Sequence, residues 1–287
     1  MSSGKKAHAT VKAEALSIGY PGEMVLEGLQ FELAPGRILA LVGSNGSGKT
    51  TLLKTLAGLL PPVSGGMEIL GGPPLACPAR VAYLGQFHPS SFMLPLRVVD
   101  VVRMARFARH GLLGRLAKED EQAVQSAMGV TGIAPLAEAP LNTLSGGQRQ
   151  KVFLAQTFAR EADLILLDEP AANLDTPARK AYRSHIRRLA EAGTSIIVAT
   201  HDLDEAAEYD LTMLLARKVV AFGPCRDILT PETLLATFGI AGTYQEGRIV
   251  IVEREHGHGA CGHGHEGPCD AQPRASPGAR QPPCLPP

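Results

Sequence analysis

The sequence predicts an α/β fold organised around an open, buried sheet, with an antiparallel β flap ahead of it and a helical segment inside it. Three observations carry that prediction. The runs 37–42, 164–167 and 195–199 are apolar nearly throughout, as strands covered on both faces read. Residues about 10–33 instead alternate apolar and polar, which marks half-exposed strands. Between about 92 and 140 the apolar residues recur every three or four positions, the spacing of one helix face.

The chain has 287 residues, 45% hydrophobic and 20% charged, enough for a sizeable core in one or two domains. Lysine plus arginine equals aspartate plus glutamate at 28 each, so no net basic field points to nucleic acid. No apolar run is long enough to span a bilayer, and the first residues lack the apolar stretch of a signal peptide. Cys77 and Cys225 stand alone, while Cys261, Cys269 and Cys284 lie near the end, which is no disulfide framework. The expectation is a cytosolic protein with reduced thiols.

In chain order, the two flap strands surround a turn at Pro21 and Gly22. Tyr20, beside that turn, suits either stacking on a purine base or packing as a turn-side core residue. The first buried strand runs directly into Gly43, Ser44, Asn45, Gly46, Ser47, Gly48, Lys49 and Thr50, which fit G-x-x-x-x-G-K-[ST]. A helical stretch beginning at Thr51 follows, closed by Gly58. Strand, glycine loop and helix N-terminus together bind phosphate: bare backbone N–H groups wrap the anion, and the helix dipole adds positive charge. Lys49 is expected to reach the β- and γ-phosphates, and the Thr50 hydroxyl to ligate Mg²⁺.

A strand about 67–70 and another at 81–84 come next, the latter followed by Gln86, which alone reads as a solvated loop residue. Val98, Val101, Val102, Ala105 and Ala108 form one helix face, ended by Gly111. Ala123, Val124, Ala127 and Met128 form a second, closed by Gly129. Arg103, Arg106, Arg109 and Arg115 read as a solvated face of this region. Leu144 then leads into Ser145, Gly146, Gly147 and Gln148. Ser145 with Gln148 three residues on is a capping-box pattern, and the paired glycines leave bare N–H groups for a second anion. The strand 164–167 delivers Asp168 and Glu169, two acids whose burial is costly unless they face a cation or a reacting group. Asp168 suits Mg²⁺, and Glu169 suits deprotonating a water. After the strand 195–199, Asp202 with Glu205 suits capping the next helix, and His201 sits where ligands of open α/β sheets gather. Strands at 211–215 and 219–222, a helix after Pro231 and a strand about 248–252 complete the segment.

Together these residues resemble the ATP-binding subunit of ABC transporters, a P-loop cassette with a RecA-like core, over about residues 10–240. Gly43 through Thr50 match its Walker A loop, Leu144 through Gln148 its LSGGQ signature, and the segment ending in Asp168 and Glu169 its Walker B strand. Asn173, Leu174 and Asp175 match the D-loop, His201 the switch histidine, Gln86 the Q-loop and Tyr20 the adenine-stacking aromatic. The resemblance implies ATP and Mg²⁺ as ligands, with Thr51 added to the nucleotide contacts and Gln86 to the Mg²⁺ ligands. It implies Lys49, Gln86, Glu169 and His201 as catalytic residues. It also implies a head-to-tail dimer whose partner subunit receives Ser145, Gly146, Gly147, Gln148 and Asp175 against its nucleotide. A helical lobe at about 90–155 would receive a membrane permease at the cytoplasmic face, and an extracytoplasmic solute-binding protein would complete the complex. Segments Pro95 to Val102, Gly111 to Arg115, Ala221 to Pro224 and Leu229 to Glu232 are similar to the manganese/zinc importer branch, shared in part with siderophore importers. Ala171 and Gly85 depart from the branch's usual residues.

The ATPase domain is expected to span about 10–253. Residues 254–287 are rich in Gly, Pro, His and Cys and nearly empty of aliphatics, so they are expected to be disordered. Within them His256, His258, Cys261, His263, His265 and Cys269 supply imidazole and thiolate donors that suit Zn²⁺ and suit Mn²⁺ poorly. A solvated low-complexity tail is the alternative.

Overall fold

The computed structural model describes residues 9–86, 96–110, 115–239, 242–245 and 248–251. The tail histidines and cysteines, and Gly111 with its three following residues, lie outside these ranges.

Strands β1 (Val11–Tyr20) and β2 (Glu23–Leu33) pair antiparallel around the turn at Gly22, whose φ of 83° is left-handed. β3 (Ile38–Val42) leads into helix α1 (Lys49–Leu56). β4 (Ser64–Ile69) returns to pair with β1, giving the flap order β2-β1-β4. After β5 (Val81–Leu84) come three helices: α2 (Val98–His110), α3 (Lys118–Thr131) and α4 (Gly146–Ala159). β6 (Leu164–Asp168), α5 (Thr176–Glu191) and β7 (Ser195–Thr200) resume the core. α6 (Leu203–Ala207), β8 (Leu211–Leu215), β9 (Val219–Gly223), α7 (Cys225–Ile228) and α8 (Pro231–Phe238) follow. A final hairpin joins β10 (Gly242–Gln245) to β11 (Arg248–Ile251).

The main sheet has the order β5-β6-β7-β3-β8-β9, parallel except where β9 runs against β8. Its strands alternate between two cores. Ile38, Ala40, Val42, Ile165 and Leu167 face the helical side, while Leu39, Leu41, Leu164 and Leu166 meet the flap and α1. Period-two alternation with apolar residues on both faces is why these strands look continuously apolar. Because β3, β5, β6 and β7 are parallel, the loops leaving them all emerge at one edge of the sheet.

Two expectations change, and one helix, α5, carried no expectation from the sequence. Gly129 does not close α3, which continues to Thr131 and stops at Gly132, where φ is 69°. No side chain is needed at Gly129, so the helix passes through it. Arg106 is not solvated: it is 4% exposed and bonds Asp120 at 2.8 Å, with Glu161 at 2.8 Å and the Ala159 carbonyl at 2.7 Å. That cluster joins α2 and α3 to the end of α4, where loss of one buried partner costs about 3–5 kcal/mol. Helix α5 buries Tyr182, Ile186 and Ala190 at four-residue spacing in an otherwise strongly polar segment.

Candidate functional site

The phosphate-loop segment is shaped by its glycines. Gly46 and Gly48 have φ of 77° and 106°, and a Cβ at Gly48 would fall 2.8 Å from the Leu26 side chain. A Cβ at Gly43 would lie 2.2 Å from the Leu215 carbonyl, so β8 fixes where the loop begins. Lys49, at the first turn of α1, reaches back across the loop. Its Nζ donates to the Gly43 carbonyl at 2.7 Å and the Ser44 carbonyl at 3.0 Å. It is 5% exposed, and burial lowers its pKa against the opposing charges of Glu169 and Asp168.

Asp168 ends β6 at 1% exposure. Burial raises its carboxyl above the usual range; a hydrogen bond from Thr50 and the charges of Lys49 and Lys54 pull the other way, and Glu169 adds to the rise. Its Oδ2 is buried without a hydrogen-bond partner among the described residues, as is Ser47 Oγ. An orphaned carboxylate oxygen beside a threonine hydroxyl is a hard-cation donor set, so these residues fit Mg²⁺ on a bound triphosphate.

Glu169 sits one residue beyond the strand at φ 50°, an uncommon conformation for a residue with a side chain. Its N–H donates to the Ala199 carbonyl at 3.0 Å, and Gln86 Nε2 donates to its Oε2 at 3.4 Å. A cavity of about 420 Å³ opens over the loop, lined by Tyr20, Asn45 through Thr51, Gln86 and Glu169. Tyr20 is 40% exposed there rather than packed in the flap core. Glu23, Val25 and Arg217 also line it, and Arg217 pairs with Glu23 at 3.1 Å. No sequence motif marked these three, because the turns that bring them over the loop are distant in the chain.

His201 lines a neighbouring cavity of about 140 Å³ together with Glu169. Asp202 caps α6 by accepting from the N–H groups of Asp204 and Glu205 at 3.0 and 3.1 Å. Glu205 does not complete a capping box. It is 2% exposed and turns inward, accepting from Thr200 Oγ1 at 2.8 Å and Tyr209 Oη at 2.7 Å.

The LSGGQ segment stands apart from the 420 Å³ cavity. Ser145 Oγ accepts from the Gln148 N–H at 3.3 Å, and Gln148 Oε1 from the Ser145 N–H at 2.9 Å, the expected capping box. Gly146 opens the helix behind it. Asp175 caps α5 through the Ala178 N–H at 2.8 Å and pairs with Lys151 of α4 at 2.9 Å. Gln150, 3% exposed, donates to the Pro170 carbonyl at 3.1 Å. A Cβ at Gly147 would fall 2.8 Å from the Asn173 carbonyl. The helix that begins with the glycine pair is thus tied to the segment after Glu169 at several points, and Gln150 and Lys151 carried no sequence signal for it.

Comparison with known proteins gives the family. The family model for ABC transporters matches residues 26–172. The manganese transport system ATP-binding protein MntB of Bacillus subtilis is 33% identical over 84% of this chain and 96% of its own length. The zinc transport system ATP-binding protein TroB of Treponema pallidum is 34% identical over 80% of this chain and 86% of its own. The hemin import ATP-binding protein HmuV of Streptomyces coelicolor is 40% identical over 77% of this chain and 80% of its own. Among solved structures, an ABC transporter in an inward-facing conformation matches with a TM-score of 0.72 and 29% identity, over 86% of this chain and 99% of that one. No helix among the described residues is long and apolar enough to cross a membrane. The chain belongs to the ABC transporter family, as an ATP-binding ATPase subunit of the α/β cassette fold.

Proposed function

We propose that the chain is the ATP-hydrolysing subunit of an importer for a divalent metal, zinc in preference to manganese, working at the cytoplasmic face of the membrane. The observation that carries the nucleotide chemistry is the meeting of Lys49, Thr50, Asp168, Gln86 and Glu169 at one edge of the sheet. The cargo reading rests on similarity to manganese and zinc transport ATPases, and on the donor chemistry of His256, His258, Cys261, His263, His265 and Cys269. The identity to HmuV supports a second reading, haem import. Against a soluble ATPase of iron–sulfur assembly stands the similarity to MntB, TroB and HmuV, which are ATP-binding proteins of transport or import systems.

In this reading the backbone N–H groups from Gly43 to Gly48, with Lys49 and Thr51, hold the phosphates, and Tyr20 stacks on adenine. Thr50, Asp168 and Gln86 hold Mg²⁺, which when bound neutralises the phosphate oxygens. Glu169 orients a water and takes its proton as the water oxygen bonds the γ-phosphorus. The bond to the β–γ bridging oxygen breaks, and its electron pair leaves with ADP. His201 contacts the γ-phosphate side of the site. Ser145, Gly146, Gly147, Gln148 and Asp175 face the nucleotide of a second ATPase subunit, and the lobe at about 90–155 docks a permease served by a solute-binding protein.

Glu169→Gln should lower hydrolysis by about 10²–10⁴-fold while ATP binding persists, because only the base is removed. Turnover close to wild type would exclude Glu169 from the chemistry. A host lacking this chain should grow poorly in metal-depleted medium and recover with added zinc; recovery with hemin but not zinc would favour the haem reading. Shortened to end at Glu253, the protein should hydrolyse ATP yet take up less zinc in equilibrium dialysis. Equal uptake by the full and shortened forms would remove the tail from the case for zinc.

A further inference from the structure

Arg179 lies one turn into α5, and nothing in the hydrolytic reading uses it. It lines two neighbouring cavities. One, of about 140 Å³, is also walled by Glu169, Thr200, His201 and Asp202. The other, of about 600 Å³, runs along α5 past Lys180, Arg183 and Arg187. Arg179 Nε is buried and has no hydrogen-bond partner among the described residues. No carboxylate among the described residues pairs with its guanidinium, and the part of the side chain that lines the cavities can offer charge-assisted N–H groups to an oxyanion there.

The acids beside it are engaged elsewhere. Both Glu205 oxygens accept hydroxyl hydrogen bonds, from Thr200 at 2.8 Å and Tyr209 at 2.7 Å. Asp202 accepts two N–H groups of α6 on one oxygen and Arg183 at 3.4 Å on the other. In the larger cavity Arg183 also pairs with Glu208 at 2.8 Å, and Arg187 with Asp210 at 3.4 Å. Arg179 is therefore the arginine or lysine that lines the smaller cavity, without a paired acid among the described residues, together with Glu169. At about 140 Å³ that cavity is well below the roughly 300–1,000 Å³ of sites for larger ligands, so it suits a small oxyanion and water, not a nucleotide.

We propose that Arg179 forms a second oxyanion subsite that takes up the inorganic phosphate released by hydrolysis and hands it to the basic groove along α5. The proposal rests on Glu169 marking the place of hydrolysis. Once ionised again, Glu169 repels a phosphate dianion, while Arg179 across the same cavity attracts it. The groove beyond, with Lys180, Arg183 and Arg187, continues the attraction to the surface.

The test is product inhibition of the full chain by inorganic phosphate at matched ionic strength, comparing wild type with Arg179→Gln and Arg179→Lys. Arg179→Gln should raise the inhibition constant for phosphate about tenfold, as loss of a charge-assisted hydrogen bond implies, with KM for ATP unchanged. Arg179→Lys should raise it by roughly threefold, since the charge stays but the fixed fork is lost. Should Arg179→Gln fail to fold, the lysine variant carries the comparison. An inhibition constant equal to wild type in the variant that folds, or a wild type indifferent to phosphate, would overturn the subsite. So would a KM for ATP that rises in step with the inhibition constant, because Arg179 would then belong to the nucleotide site. Failure of the hydrolytic reading shows separately, as full turnover by Glu169→Gln.

Discussion

The buried ammonium of Lys49 and the buried carboxylate of Asp168 set the terms for the rest of the molecule. Neither is stable alone in an apolar interior, where desolvation of each ion costs several kcal/mol. Lys49 is held by two carbonyls of the loop that precedes it, and it interacts with Asp168 and Glu169 from the start of α1. Asp168 keeps one oxygen unpartnered. The fold thus stabilises the cation better than the anion. Since burial raises the Asp168 pKa in the folded state, its contribution to stability is greatest at low pH and is lost as pH rises through the folded value. That residual cost is the physical mark of a site built for a further positive charge.

Holding those two groups together requires the sheet to be parallel and fully covered. β3 delivers the loop and β6 delivers Asp168, with β7 between them in the hydrogen-bonded order. A one-residue slip in any of these strands would exchange its two core faces and carry Asp168 away from Lys49. The flap and α1 seal one face, and α2 to α5 the other. Contacts from α4 then tie the site to the helical region: Gln150 to the Pro170 carbonyl, Lys151 to Asp175, and Gly147 against Asn173. These contacts join α4 to the backbone just after Glu169.

Much of this was legible in the sequence. The loop from Gly43 to Thr50, the acids at Asp168 and Glu169, and the strand limits of β8 follow from glycine spacing and apolar runs, which are local properties. Arg106 was misread because charge in a helix ordinarily faces water; its partners Asp120 and Glu161 lie 14 and 55 residues away. α5 was unmarked because the segment is polar overall, with four arginines and a lysine around the buried stripe Tyr182, Ile186 and Ala190. Glu205 fitted a capping pattern yet bonds Thr200 and Tyr209, an outcome decided by burial rather than spacing. Arg217 and Arg179 gain meaning only from cavities, which no linear pattern describes.

Asp168 is a costly buried charge that a bound cation relieves. Thermal unfolding of Asp168→Asn, with and without ATP and Mg²⁺, measures both halves at once. Without ligands the variant should melt at or above the wild-type temperature, because a buried charge has been replaced by a neutral isostere. The added stabilisation that Mg²⁺ brings in the presence of ATP should shrink sharply. A variant that melts well below wild type yet keeps the full Mg²⁺-dependent shift would contradict the account.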